Sequence, residues 1–79
     1  MSDMKDTLSF GEKAVGLNFN PSGDIAVERI KKMFAEAIDF CNENRNVVAD
    51  PEVKRMYSLA ITEAQTAQMW AVKALTWRF

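Results

Sequence analysis

Histidine is absent from this 79-residue chain, and cysteine occurs once, as Cys41. The first absence removes the commonest general base and metal ligand, and with it the usual nucleophilic triads and zinc sites. The second leaves no disulfide within the chain and no thiolate cluster. Glycine and proline are sparse, at three and two residues, so long stretches run free of the residues that break helices. No apolar run approaches the roughly 20 residues of a membrane span. Ten Lys and Arg stand against 11 Asp and Glu, a net charge of −1, which provides no basic field for DNA or RNA. Met1 to Asp6 is polar and has no apolar core of a signal peptide. The expectation is an intracellular protein without cofactor or metal. Acid pairs one turn apart, such as Glu36 and Asp39, read as a solvated face, and no enzymatic activity is expected.

What the chain does have is apolar surface arranged at helical spacing. Ala60, Ala64, Ala67, Ala71 and Ala74 follow one another at intervals of four and three, a heptad seam extended upstream by Tyr57 and Val53. Small side chains along such a seam let a partner helix approach closely. Met56, Leu59, Trp70 and Trp77 flank it on one side and Ile61, Val72, Leu75 and Phe79 on the other. A helix apolar on nearly all sides wants cover on all sides. A core of this size supplies only about 3–5 kcal/mol unaided, so other copies of the chain are expected to provide cover.

The spacing predicts an all-α protein of one domain: a short N-terminal helix within residues 1–16, a loop at 17–23, and long helices at 24–45 and 51–78. Ser2 or Asp3 can cap the first helix, which places Met4, Leu8, Gly11 and Val15 on one face, and Gly16 can end it. Ser22 or Asp24 can cap the second, whose expected buried face is Ile30, Met33, Phe34, Ala37, Ile38 and Cys41. Asn42, Asn44 and Asn46 are expected to fray its end. Asp50-Pro51-Glu52 starts the third helix with a capping Asp and Pro at the first position. A short connection between two long helices implies an antiparallel hairpin, with the longer last helix overhanging its partner.

Three stretches could bind a ligand. In Phe19-Asn20-Pro21-Ser22-Gly23-Asp24, a Ser-Gly turn entering a helix offers backbone N–H groups to a phosphate. Lys31 and Lys32 follow, and Phe19 offers a ring for a base. The alternative reading is a capped turn with Phe19 packed on the hairpin. Thr62, Glu63, Gln65, Thr66 and Gln68 form a polar set amid apolar neighbours, which reads either as hydrogen bonds fixing register in an oligomer or as ligand contacts. Trp70, Lys73 and Trp77 share a stripe that could take a base and a phosphate or serve as core and rim.

The run Thr62-Glu63-Ala64-Gln65-Thr66-Ala67-Gln68-Met69-Trp70-Ala71-Val72-Lys73-Ala74-Leu75, with Asn20-Pro21-Ser22-Gly23-Asp24 and Ile30-Lys31, resembles a family of small phage sponge proteins. These counter cyclic-oligonucleotide-based antiphage signalling (CBASS) and share a helical hairpin with proteins that counter Thoeris signalling. The resemblance covers about residues 19–79. It implies a homohexamer in the host cell cytoplasm that sequesters cyclic dinucleotides such as cyclic GMP-AMP, and cyclic trinucleotides at a second pocket, without cleavage. It implies a ligand site of Phe19, Asn20, Pro21, Ser22, Gly23 and Lys31, with Phe19 stacking a base and Lys31 touching phosphate. Thr62, Gln65 and Lys73 are its second-pocket candidates, and Ile61 stands where the family pattern has Arg. The competing reading is a helical homo-oligomer that binds a host or phage protein.

Overall fold

The computed structural model describes residues 7–77, which form three helices: α1 (Phe10–Ala14), α2 (Ile25–Val47) and α3 (Pro51–Leu75). No strand occurs among the described residues. The helix expected from residue 2 is only five residues long. A capping box explains its start: the Glu12 N–H donates to Ser9 Oγ at 3.1 Å, and the Ser9 N–H donates to Glu12 Oε1 at 2.9 Å. Ser2, Asp3 and Met4 lie outside the described residues, as does Phe79. Gly16, at φ +62°, ends α1 in a left-handed turn. Its N–H donates to Lys13 O at 3.1 Å, and the Leu17 N–H donates to Glu12 O at 3.0 Å, the paired bonds of a Schellman motif.

Asp24 caps α2, its side chain accepting from the Ala26 N–H at 2.8 Å. The helix continues through the three asparagines to Val47, beyond the expected end at Arg45. Their side chains are engaged locally: Asn44 Nδ2 donates to Phe40 O at 2.8 Å, and Asn42 Oδ1 accepts from Arg45 at 2.6 Å. Asp50 caps α3 by accepting from the Glu52 N–H at 2.9 Å, with Pro51 at the first position. That helix stops at Leu75 rather than at residue 78. Thr76, β-branched, turns its hydroxyl back onto Val72 O at 2.8 Å. With 23 and 25 residues, α2 and α3 are almost equal in length, so the expected overhang is nearly absent.

The hairpin core is Val15, Ala35, Ile38 and Ile61, with Ala14, Leu17, Phe34, Cys41 and Ala64 packed around it. Burial on α2 falls on Val27, Lys31, Ala35 and Ile38. This face is rotated from the expected one, because α1 docks against Ala35, so that Met33 and Ala37 are exposed. On α3 the buried residues are Ile61 and Gln68, with Ala64, Gln65, Val72 and Leu75 half-buried. The alanine seam therefore reaches the hairpin core at Ala64 but does not run along the contact. Ala60, Ala67 and Ala74 are exposed, as are Thr62, Glu63 and Thr66 of the polar set.

Arg45 stitches the hairpin near its turn. It donates to Ser58 Oγ of α3 at 3.0 Å and lies 5.7 Å from the centre of the Phe10 ring of α1. Along its shortest axis the molecule spans 12 Å between Cα atoms. Two helix layers would need more, since packed axes stand about 8–10 Å apart and each helix adds a Cα radius of about 2.3 Å. A single layer leaves both faces open. Met33 and Phe40 of α2 and Met56, Leu59, Met69 and Trp70 of α3 are accordingly exposed.

Candidate functional site

Because the hairpin is antiparallel, the start of α2 lies beside the end of α3, and the segment leaving α1 arrives at the same place. There Phe19, Asn20, Pro21, Ser22, Val27, Lys31, Val72 and Thr76 line a half-open cleft of about 280 Å³. Five of the six residues proposed from the first stretch thus come together. Gly23 does not line the cleft. At φ +67° it turns the chain into α2, with its N–H donating to Asn20 O at 3.1 Å.

The loop is internally hydrogen-bonded. Asn20 Nδ2 donates to Asp24 O at 3.0 Å, Ser22 Oγ to Asn20 Oδ1 at 2.8 Å, and the Asp24 N–H to Ser22 Oγ at 3.2 Å. The N–H groups of Ala26, Val27 and Glu28 donate to Asp24, the first to its side chain and the others to its carbonyl. This corrects the idea of free donors cradling a phosphate at the entry to α2: its own cap uses them. What the loop presents outward is the Phe19 ring, 72% exposed.

Lys31 lies beneath that ring, and its setting differs from the exposed phosphate contact expected. The residue is 5% exposed. Its Nζ donates to Gly16 O at 3.0 Å and to Phe19 O, and lies 5.6 Å from the centre of the Phe19 ring. Burial pushes its pKa below the ordinary lysine value, because a desolvated ammonium is disfavoured. An ammonium has three N–H donors, and two are committed here to carbonyls.

Thr62, Gln65 and Lys73 do not converge within one chain. Thr62 is exposed, and Gln65 Nε2 donates to Ala14 O at 3.5 Å, tying α3 to α1. Lys73 stands more than two turns beyond Gln65, roughly 12 Å along the helix. Its Nζ lies 5.3 Å from the ring centre of Trp70 and 5.7 Å from that of Trp77. These three residues and Ala74 line a shallow depression of about 460 Å³. No group of His, Cys, Asp and Glu able to hold a metal ion occurs among the described residues. No helix among them is long and apolar enough to cross a membrane.

Val27, Val72 and Thr76 were missed as cleft residues. The signal for the last two was available, because an antiparallel hairpin must bring the end of α3 back to the start of α2. A protein-family model described as Acb2/Tad1, hairpin domain, matches residues 12–76. No curated protein and no solved structure matches the chain.

Proposed function

The chain belongs to the Acb2/Tad1 hairpin family, and from this premise we propose that it binds cyclic oligonucleotide second messengers and sequesters them intact, blocking CBASS signalling in the cytoplasm of the phage's host. The observation that carries this reading is the exposed Phe19 ring at the mouth of a cleft, with the Lys31 ammonium 5.6 Å from its centre. An exposed aromatic face held over a cleft suits a nucleotide base. Stacking of that kind is worth about 1–3 kcal/mol per base.

A cleft of about 280 Å³ lies at the lower edge of the roughly 300–1,000 Å³ of small-molecule pockets. It suits one nucleoside unit better than a whole cyclic dinucleotide. The other unit would meet a second copy of the chain, and a hexamer would supply such pairs of copies repeatedly. The open faces of the single helical layer, with Trp70 64% exposed, support assembly of this kind. Phe19, Asn20, Pro21, Ser22 and Lys31 form the proposed site, with Gly23 shaping its loop; Thr62, Gln65 and Lys73 would join a second, trinucleotide pocket only between subunits. The cleft wall contains no carboxylate, imidazole or thiol to activate water, which favours storage of the ligand over its hydrolysis.

A thermal-shift panel tests the reading. Cyclic GMP-AMP, other cyclic dinucleotides and cyclic trinucleotides are compared with linear dinucleotides. Ligand at a hundredfold excess over Kd stabilises by about 2.7 kcal/mol, a shift of roughly 10–20 °C in a domain of this size. A rise with cyclic ligands is expected. No rise with any of them contradicts the proposal and favours a protein-binding helical oligomer.

A further inference from the structure

We infer that Lys31 is a positioning residue, whose ammonium acts on the ligand by holding the Gly16–Phe19 segment and, through it, the Phe19 ring. This rests on the proposed reading that Phe19 meets a base. The ring has little packing to hold it, since it is 72% exposed, so its direction depends on its own backbone. That backbone is fixed at three points. Gly16 reverses the chain at φ +62°; the Phe19 N–H closes the turn onto Gly16 O at 2.9 Å; and Lys31 Nζ donates to the carbonyls of both residues.

A lysine meant chiefly for phosphate would keep its ammonium in the open, where desolvation costs little. Lys31 is instead 5% exposed, and burying a charge is expensive unless it is hydrogen-bonded. Two carbonyls meet that need and leave one N–H. The neighbouring Lys32 shows the contrast: its side chain is 57% exposed and paired with Glu28 at 3.2 Å. The carbonyls of Gly16 and Phe19 converge on one nitrogen from a different helix, so deleting that nitrogen releases the segment without touching the cleft's apolar wall.

The test has two arms, both using Lys31→Met. In ligand-free protein, amide hydrogen exchange should quicken tenfold or more at Leu17 and Phe19, with α3 amides unchanged. In a double-mutant cycle with cyclic GMP-AMP, Phe19→Ala and Lys31→Met should each weaken binding about tenfold or more. The double variant should bind within about threefold of Phe19→Ala alone, because Lys31 acts through the ring that is already gone. Unchanged exchange at Leu17 and Phe19, or losses that multiply in the double variant, would overturn the inference. If the Met variant does not fold, Lys31→Gln takes its place in both arms with the same outcomes. Should the wild-type protein bind no cyclic dinucleotide, the functional reading fails, while the exchange arm still decides whether Lys31 holds the loop.

Discussion

The backbone N–H of Gly11 donates to Asp39 Oδ1 at 2.6 Å, and this contact sets how closely the first helix lies on the second. A Cβ at Gly11 would stand 2.1 Å from Ala35 O and 2.9 Å from Asp39 Oδ1, nearer than any side chain tolerates. Five residues of helix cannot hold themselves in water, so α1 depends on this docking. Through Val15 and Gly16 it carries the segment that ends at Phe19.

Gly11→Ala should therefore be costly although alanine favours helices. Overpacking against backbone typically costs about 1–3 kcal/mol, on the order of 5–15 °C in a domain of this size. Circular-dichroism melting at one fixed protein concentration reads the effect. A variant as stable as wild type would mean that α1 is not seated as described.

Much of the architecture is legible in the sequence, because its signals are local. Asp50-Pro51-Glu52 marks the start of α3 and Gly16 the end of α1, each through chemistry carried by the residues themselves. The faces were harder to read. The alanine seam has the stronger periodicity, yet Ile61 and Gln68 pack the hairpin while Ala60 and Ala67 stay open, because volume at a contact is decided by the facing helix. Lys31 was legible as a neighbour of the loop that forms the cleft, but not as a buried residue. Its burial follows from two carbonyls fifteen and twelve residues earlier in the chain, which no helical pattern discloses.

The open seam leads to a prediction about assembly. Ala67 is exposed in the single chain, so Ala67→Leu should leave the hairpin folded and hold a neighbouring copy away. Light scattering should show wild-type protein well above the 8.9 kDa of one chain and the variant shifted towards it. A wild-type protein that is monomeric at micromolar concentration would remove the oligomeric part of the account.

Alkaline pH should favour the fold through Lys31. Its pKa in the folded protein lies below the ordinary lysine value of 10.5 because of burial, so the unfolded chain holds more protons between the two values and stability rises with pH there. Urea unfolding of wild type and Lys31→Met should therefore show the wild type gaining relative to the variant as pH rises towards the ordinary lysine value. A difference that stays flat or shrinks would mean that the ammonium carries no burial penalty.

Charge near the cleft should matter only where the geometry uses it. Lys32→Ala removes a cation next in sequence to Lys31, but one that is exposed and paired with Glu28. Exposed pairs of this kind contribute roughly 0–1 kcal/mol. Equilibrium binding of cyclic GMP-AMP should change by less than about threefold. A loss matching that of Lys31→Met would point to a general field effect and a misplaced site.

The central claim is that a cyclic dinucleotide is held and returned unchanged. Equilibrium dialysis of cyclic GMP-AMP against protein in excess, followed by heat release and chromatography of the nucleotide, tests it in one measurement. The account predicts depletion of free ligand, recovery of the intact cyclic molecule, and depletion about tenfold or more weaker with Phe19→Ala, the equivalent of roughly 1.4 kcal/mol of lost stacking. Free ligand that is not depleted, or linear products accumulating over many turnovers, would contradict it.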